Sequence, residues 1–230
     1  MGLEPFDSVF TGRYTTPVRT TRTNGNTAAA LDVKAPTSAE RILSTALDLF
    51  AVKGYDATAV REICEAAGIT KPTLYHFYGS KEGVLQALVT SGFQRFRELV
   101  DAAVAQPGSF RERLKFLARA LFESARRQPR YWRFMHAIVW APQGTAPKTV
   151  SCTEFYEGVV GVLAEAEREA VKRGELAAGS SDVRMLVLMG AIGEAATGYV
   201  ISGKPEPTSE LADALIDTIL DGWEVPGRKS

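Results

Sequence analysis

Apolar residues recur along this chain at helical spacing, and no stretch alternates apolar with polar as a half-buried strand would. The first clear face is Ile42, Leu43, Ala46, Leu47 and Phe50. Thr37-Ser38-Ala39-Glu40 precedes it in the capping-box pattern, where hydroxyl and carboxylate satisfy orphan N–H groups. Gly54 ends that segment. Val60, Ile63, Cys64 and Ala67 form the face of a second, shorter helix. Gly68 follows it, where a left-handed backbone costs a glycine least. Thr70 then offers a hydroxyl N-cap and Pro72 sits in the first turn of a third helix, which runs to Tyr78.

After Ser80 the helices lengthen. Val84, Leu85, Leu88, Val89, Phe93, Phe96, Leu99, Val100 and Ala103 hold one helical period up to the stop at Pro107-Gly108. Ser109-x-x-Glu112 opens the next helix with a second capping box, and Pro129 closes it. The run from Tyr131 to Trp140 is apolar nearly all round, which predicts a buried helix beside a pocket. Three more helices are expected, over 148–173, 182–201 and 208–223. The fold class is all-α.

Helix, glycine-containing turn and helix over 58–81 is the spacing of a helix-turn-helix. An ordinary pair of core helices would show the same spacing. The polar content of the second helix separates the two readings. Thr70, Lys71, Thr73, Tyr75 and His76 crowd hydrogen-bonding groups into one short helix, more than packing requires.

The run RILSTALDLFAVKGYDATAVREICEAAGITKPTLYHFYGSKEGVLQAL, from Arg41 to Leu88, resembles the DNA-binding region of TetR (tetracycline-repressor-like) bacterial transcriptional regulators. Phe50, Gly54, Thr58, Ile63, Ala67-Gly68-Ile69, Leu74-Tyr75, Gly79-Ser80-Lys81 and Leu85 carry the resemblance. Residues 1–36, dominated by Thr, Asn, Gly and Pro without a helical or strand period, are expected to form a flexible arm. The resemblance implies a three-helix DNA-binding unit over 37–82 and a larger helical effector-binding and dimerisation domain over 83–230. It implies that each subunit of a homodimer lays the Thr70–Tyr78 helix in a major groove of a palindromic operator. Thr70, Lys71, Thr73 and His76 then lie near base edges or phosphates, and Pro72 and Thr73 can meet thymine methyls. By the same resemblance Thr58 and Lys81 hold phosphates at helix N-termini, Thr37 or Ser38 does so for the first helix, and Tyr75 contacts the backbone. Members of the family often place tyrosine or histidine, then phenylalanine, before Gly-Ser-Lys. Here the order is Phe77-Tyr78, so that phosphate contact falls to His76 or Tyr78.

The rest of the chain matches that family only in the number, length and order of its helices, so it names no ligand. Phe93, Phe96, Phe116, Phe122, Trp132 and Met135 are candidate walls of an apolar cavity for a small-molecule effector. His136, Trp140, Phe155, Met189 and Tyr199 complete the set. His136 has mostly apolar helix neighbours and needs a partner if buried. The last two helices, rich in small and apolar residues, are expected to pair with a second copy.

Composition narrows the picture further. Formal net charge is zero, and residues 35–90 carry five basic against six acidic side chains, so DNA affinity must come from a few placed groups and from avidity. No apolar run approaches the length of a membrane span, and Cys64 and Cys152 lack metal-ligand spacing. No cofactor, metal or membrane partner is expected, and the location expected is the cytoplasm. Two histidines, no nucleophile motif and no glycine-rich phosphate loop argue against an enzyme. The reading is a ligand-responsive repressor. The alternative is a helical adaptor or ligand-binding protein of the same fold without DNA binding.

Overall fold

A computed structural model of the chain describes residues 35–139 and 152–222, with side chains from 157 onward in the second stretch. The described residues are helical, without a strand among them. The expected arm therefore lies almost wholly outside the described residues.

Three short helices open the fold: α1 (Ser38–Lys53), α2 (Val60–Ala67) and α3 (Lys71–Tyr78). Thr37 caps α1 as its sequence predicts. Its hydroxyl accepts from the Glu40 amide at 3.2 Å, and its own amide donates to the Glu40 carboxylate at 2.7 Å. α2 stops at Gly68, which takes the left-handed conformation at φ 63°, and the Ile69 amide then donates back to the Cys64 carbonyl at 3.0 Å. That turn tucks Ile69 against a core built from Ile42, Ala46, Phe50, Ile63 and Leu74.

The head does not close its core alone. α4 (Lys81–Val104) contributes Val84, Leu85 and Leu88, and α6 (Pro129–Val139) contributes Tyr131 and Phe134. The Phe134 ring stacks on Phe50 at 6.2 Å between centroids. A second core gathers the far half of α4 with α5 (Phe110–Arg127), α7 (Cys152–Lys172), α8 (Ser181–Ser202) and α9 (Ser209–Asp221). α5 packs most extensively on α9, and Arg111, Lys115 and Arg119 of α5 pair with Asp217 and Asp213 across that contact.

α6 departs from expectation. It is not buried all round: Tyr131 and Phe134 alone are fully buried. Arg130 pairs with Asp48 of α1 at 2.8 Å, and Arg133 donates to the Val200 carbonyl of α8 at 3.0 Å. Long cationic side chains lay their stems along the helix and carry their charge to its edges, so Arg130 just before the apolar run and Arg133 within it make the helix one-sided.

Among the described residues, one ion pair is buried. Arg184 Nη1 donates to Glu167 Oε1 at 2.8 Å, with the side chains only 10% and 2% exposed. Nη2 donates to the Ala177 carbonyl at 2.7 Å, and the Ser181 hydroxyl also donates to Glu167. Gly179 makes room for the guanidinium: a Cβ there would stand 2.7 Å from Nη2. This network fixes the turn from α7 into α8.

Candidate DNA-reading head and effector cavity

α3 is held to the head by one fully buried residue, Leu74. Thr70 caps it, accepting from the Thr73 amide at 3.4 Å and sharing a hydrogen bond with the Thr73 hydroxyl at 2.9 Å. Lys71, Pro72, Tyr75 and His76 stand exposed on the same helix, and Thr73 is half-buried. The structure thus gathers six of the residues expected to meet DNA on one outward-facing helix. Phe77 is also exposed, with its ring edge-on to His76 at 5.3 Å. It offers an apolar surface where a hydroxyl was expected.

Three expected phosphate contacts must be corrected. Thr58 is 1% exposed, and its hydroxyl donates to the Gly54 carbonyl at 2.8 Å. Lys81 sends its ammonium to the carbonyls of Tyr55 and Thr58, both at 2.9 Å, and over the Tyr55 ring at 4.2 Å. Tyr78 turns inward and donates to the Ala39 carbonyl at 3.0 Å; burial pushes its phenol up from its ordinary value. Each side chain ties its polar end to a backbone carbonyl of α1 or of the segment between α1 and α2, so all three brace the head.

Thr37 and Ser38 do lie at the α1 N-terminus, with their hydroxyls occupied locally by Glu40 and Arg41. Arg41, which the sequence reading counted only as charge, is exposed, and its guanidinium lies 3.9 Å from where a Cβ on Gly68 would stand. It therefore flanks the turn between α2 and α3.

A cavity of about 520 Å³ opens between α4, α5, α6, α7 and α8. Of the expected wall residues, Phe93, Phe96, Trp132, Met135 and Met189 line it. Phe116, Phe122 and Tyr199 belong instead to the body core, with Phe122 only 1% exposed. Their helical period was that of core packing. His136 is half-buried on α6 but outside the wall. Trp140 and the Phe155 side chain lie outside the described residues.

The sequence reading missed the polar corner of the wall. Arg95 of α4 reaches the cavity and donates from Nη1 to Gln128 Oε1 at 3.2 Å, while its guanidinium stands 5.7 Å from the centre of the Tyr131 ring. Burial lowers the Arg95 pKa from its ordinary value. The Trp132 indole donates to the Ser124 hydroxyl at 3.2 Å. The Tyr131 hydroxyl donates to the Leu88 carbonyl at 3.2 Å, and burial raises its pKa, which keeps the donor protonated. The signal was available: Arg95 falls on the apolar stripe of Gly92, Phe96 and Leu99, where a charge breaks the pattern.

Gly92 has a different role. A Cβ built there would stand 1.3 Å from the Tyr131 hydroxyl oxygen, so the seat of the Tyr131 side chain against α4 requires glycine.

The head and the cavity have counterparts elsewhere. Residues 42–88 match the family model described as bacterial regulatory proteins, tetR family. HTH-type transcriptional repressor KstR2 of Mycobacterium tuberculosis is 39% identical over 87 residues, covering 36% of this chain and 42% of KstR2. The chain thus spans about two fifths of that relative's length. Among solved structures, a tetR-family regulator from Shewanella sp. PV-4 is 25% identical at a TM-score of 0.65, covering 82% of this chain and 99% of the other. FadR from Bacillus subtilis, solved in complex with stearoyl-CoA, is 19% identical at a TM-score of 0.65, covering 79% and 97%. At that identity the likeness speaks for the fold.

A helix-turn-helix head joined to a cavity-bearing helical body defines the class of protein. The head is that of the bacterial tetR-family regulators, and the fold is shared along almost the whole length of these structures.

Proposed function

We propose that the chain is a cytoplasmic, sequence-specific DNA-binding repressor that works as a homodimer and is released from a palindromic operator by an apolar or amphipathic effector. One observation carries the reading: α6 belongs to the cavity and to the head at once. Trp132 and Met135 line the cavity, and Phe134, between them in sequence, inserts into the head core against Phe50. Tyr131 does both. A molecule entering the cavity displaces the helix that seats the head. Coupling of this kind is reciprocal, so operator DNA weakens effector binding by the factor by which effector weakens operator binding. That B. subtilis FadR was solved with stearoyl-CoA supports an elongated amphiphile as the kind of ligand such a body accepts.

The exposed face of α8 supports the dimer. Val183, Leu186, Val187 and Ile201 are exposed there, and a Cβ added at Gly190 would meet nothing within 4 Å. A second copy can approach that face closely and bury it against its own. Leu186→Glu is expected to convert the dimer to monomer in sedimentation analysis at micromolar concentration and to weaken operator binding with it. A variant that stays dimeric places the interface elsewhere.

The direct test is selection from a pool of random DNA duplexes. A palindrome with half-sites about one helical turn apart is the expected product. With that duplex, Lys71→Ala or Tyr75→Ala is expected to cost about 1–3 kcal/mol per subunit in binding and to leave the dimer intact. Unchanged affinity in both variants would remove α3 from the interface. No enrichment, before or after refolding to strip bound ligand, would favour an adaptor of the same fold.

A further inference from the structure

The cavity wall is apolar on α7 and α8, where Val159, Val160, Met189 and Ile192 face it, and polar at the corner where α4, α5 and α6 meet. Much of that corner is already engaged within the protein. The Trp132 indole donates its one N–H to the Ser124 hydroxyl, and the Tyr131 hydroxyl donates to the Leu88 carbonyl. Arg95, the charged residue of the wall among the described residues, donates to Gln128, and the Glu98 carboxylate three residues on along α4 acts on its charge. The guanidinium is thus already answered by an anion of its own helix.

Ser124 and Gln128 differ from these. They lie four residues apart on one face at the end of α5, and both line the cavity. Each uses its oxygen as an acceptor: Ser124 Oγ from Trp132 and Gln128 Oε1 from Arg95, both at 3.2 Å. A guanidinium can only donate, so the Gln128 amide must turn its oxygen to Arg95 and its nitrogen away. The Ser124 O–H and the Gln128 NH2 remain as donors with no acceptor among the described residues. The Gln128 nitrogen is not sealed in protein either, since no fully buried side-chain polar atom lacks a partner among the described residues. Two neighbouring donors in a largely apolar cavity fit one neutral oxygen with two lone pairs. A carboxylate would give up its hydration there for neutral donors, with the nearest cation already paired.

We infer that the cavity takes an uncharged apolar molecule with a carbonyl oxygen, a ketone or an ester, whose oxygen accepts from Ser124 and Gln128 while its hydrocarbon body lies against α7 and α8. The inference rests on the proposed effector role of this cavity and names the chemical class of the effector.

The two donors also hold α6. The Gln128 backbone carbonyl accepts the Tyr131 and Trp132 amides at 3.1 and 3.2 Å, and Ser124 holds the Trp132 indole. A carbonyl seated on this pair therefore acts on the first turn of the helix that seats the DNA-reading unit, while the hydrocarbon body supplies affinity through buried apolar area.

The test compares octyl compounds with different heads on the full-length protein, refolded beforehand to strip bound ligand. Methyl octyl ketone, methyl nonanoate, nonanoate and octyltrimethylammonium are titrated by calorimetry. Wild-type protein is expected to bind the ketone or the ester roughly tenfold more tightly than either ion. Which of the two neutral compounds is tighter identifies the carbonyl class. The carbon-13 resonance of carbonyl-labelled ketone is expected to move, on binding, from its position in hydrocarbon to its position in water or beyond, as two hydrogen bonds require. Gln128→Glu leaves Arg95 its acceptor and removes the NH2 donors. It is expected to weaken the ketone roughly tenfold and to leave unchanged the alkene in which a methylene replaces the carbonyl oxygen. Tighter binding of either ion, a bound carbonyl resonance at its hydrocarbon position, or an equal effect of Gln128→Glu on ketone and alkene overturns the inference. The wild-type measurements decide this even where the variant fails to fold. Operator release by the same compounds separates the two levels. Release by ketone and alkene alike keeps the regulatory reading and removes the carbonyl site. A hydrogen-bonded ketone that causes no release keeps the site and removes the regulatory reading.

Discussion

Glu167→Ala is expected to lower the unfolding free energy by about 3–5 kcal/mol, because it strands a buried guanidinium without its carboxylate. The Arg184 side chain is 10% exposed and cannot swing out to water without opening the turn between α7 and α8. The Ser181 hydroxyl loses its acceptor in the same variant. Glu167→Leu with Arg184→Met removes both charges together and is expected to recover most of the loss, since a buried pair and an apolar pair of similar size are often close in stability. Denaturant unfolding at one fixed protein concentration checks this, because a dimer gains stability by mass action. A single variant within 1 kcal/mol of wild type would mean that water reaches the guanidinium. The loss has a functional side. α8 lines the cavity with its inner face and offers the proposed dimer surface with its outer one, so loosening its first turn is expected to weaken effector binding and dimerisation together.

Those two faces of α8 also show what the chain discloses about itself. Helix starts were legible because caps are local: Thr37 with Glu40, and Ser109 with Glu112, settle their bonds within three residues. The turn at Gly68 was legible for the same reason. The errors arose where a partner lies far along the chain. Tyr78 and Ala39 are separated by 39 residues and Lys81 and Thr58 by 23, so nothing near either side chain announced that its polar end was already committed. The structure leaves Lys71, Tyr75 and His76 exposed on α3 and turns Tyr78 inward. The cavity follows the same division. Aromatic residues at helical spacing gave Phe93, Phe96 and Trp132, but the same spacing admitted Phe116 and Phe122, because a core and a cavity wall share one period. Arg95 and Gln128 stand 33 residues apart and meet only once α4, α5 and α6 are folded together.

That three-helix meeting point yields the sharpest functional expectation. Gly92→Ala is expected to lower operator affinity at least tenfold in the absence of any effector, as if the cavity were occupied. The added methyl would stand 1.3 Å from the Tyr131 hydroxyl oxygen and 2.4 Å from Cζ, distances that no rotation about the hydroxyl relieves. Tyr131 must leave, and with it the hydrogen bond to the Leu88 carbonyl. A small movement of α6 then withdraws Phe134 from Phe50, and the head loses its seat on the body while α1, α2 and α3 keep their own core. Overpacking of this kind costs about 1–3 kcal/mol, so the variant is expected to remain folded. Tyr131→Leu in the same chain removes the obstructing atoms. The two substitutions should therefore couple strongly, with the double variant recovering operator affinity that Gly92→Ala loses. Operator titrations on wild type, both single variants and the double variant measure the coupling. Additive effects would mean that Tyr131 does not transmit the strain. Unchanged operator binding in Gly92→Ala, with Tyr131 displaced, would mean that α4 alone carries the signal to the head.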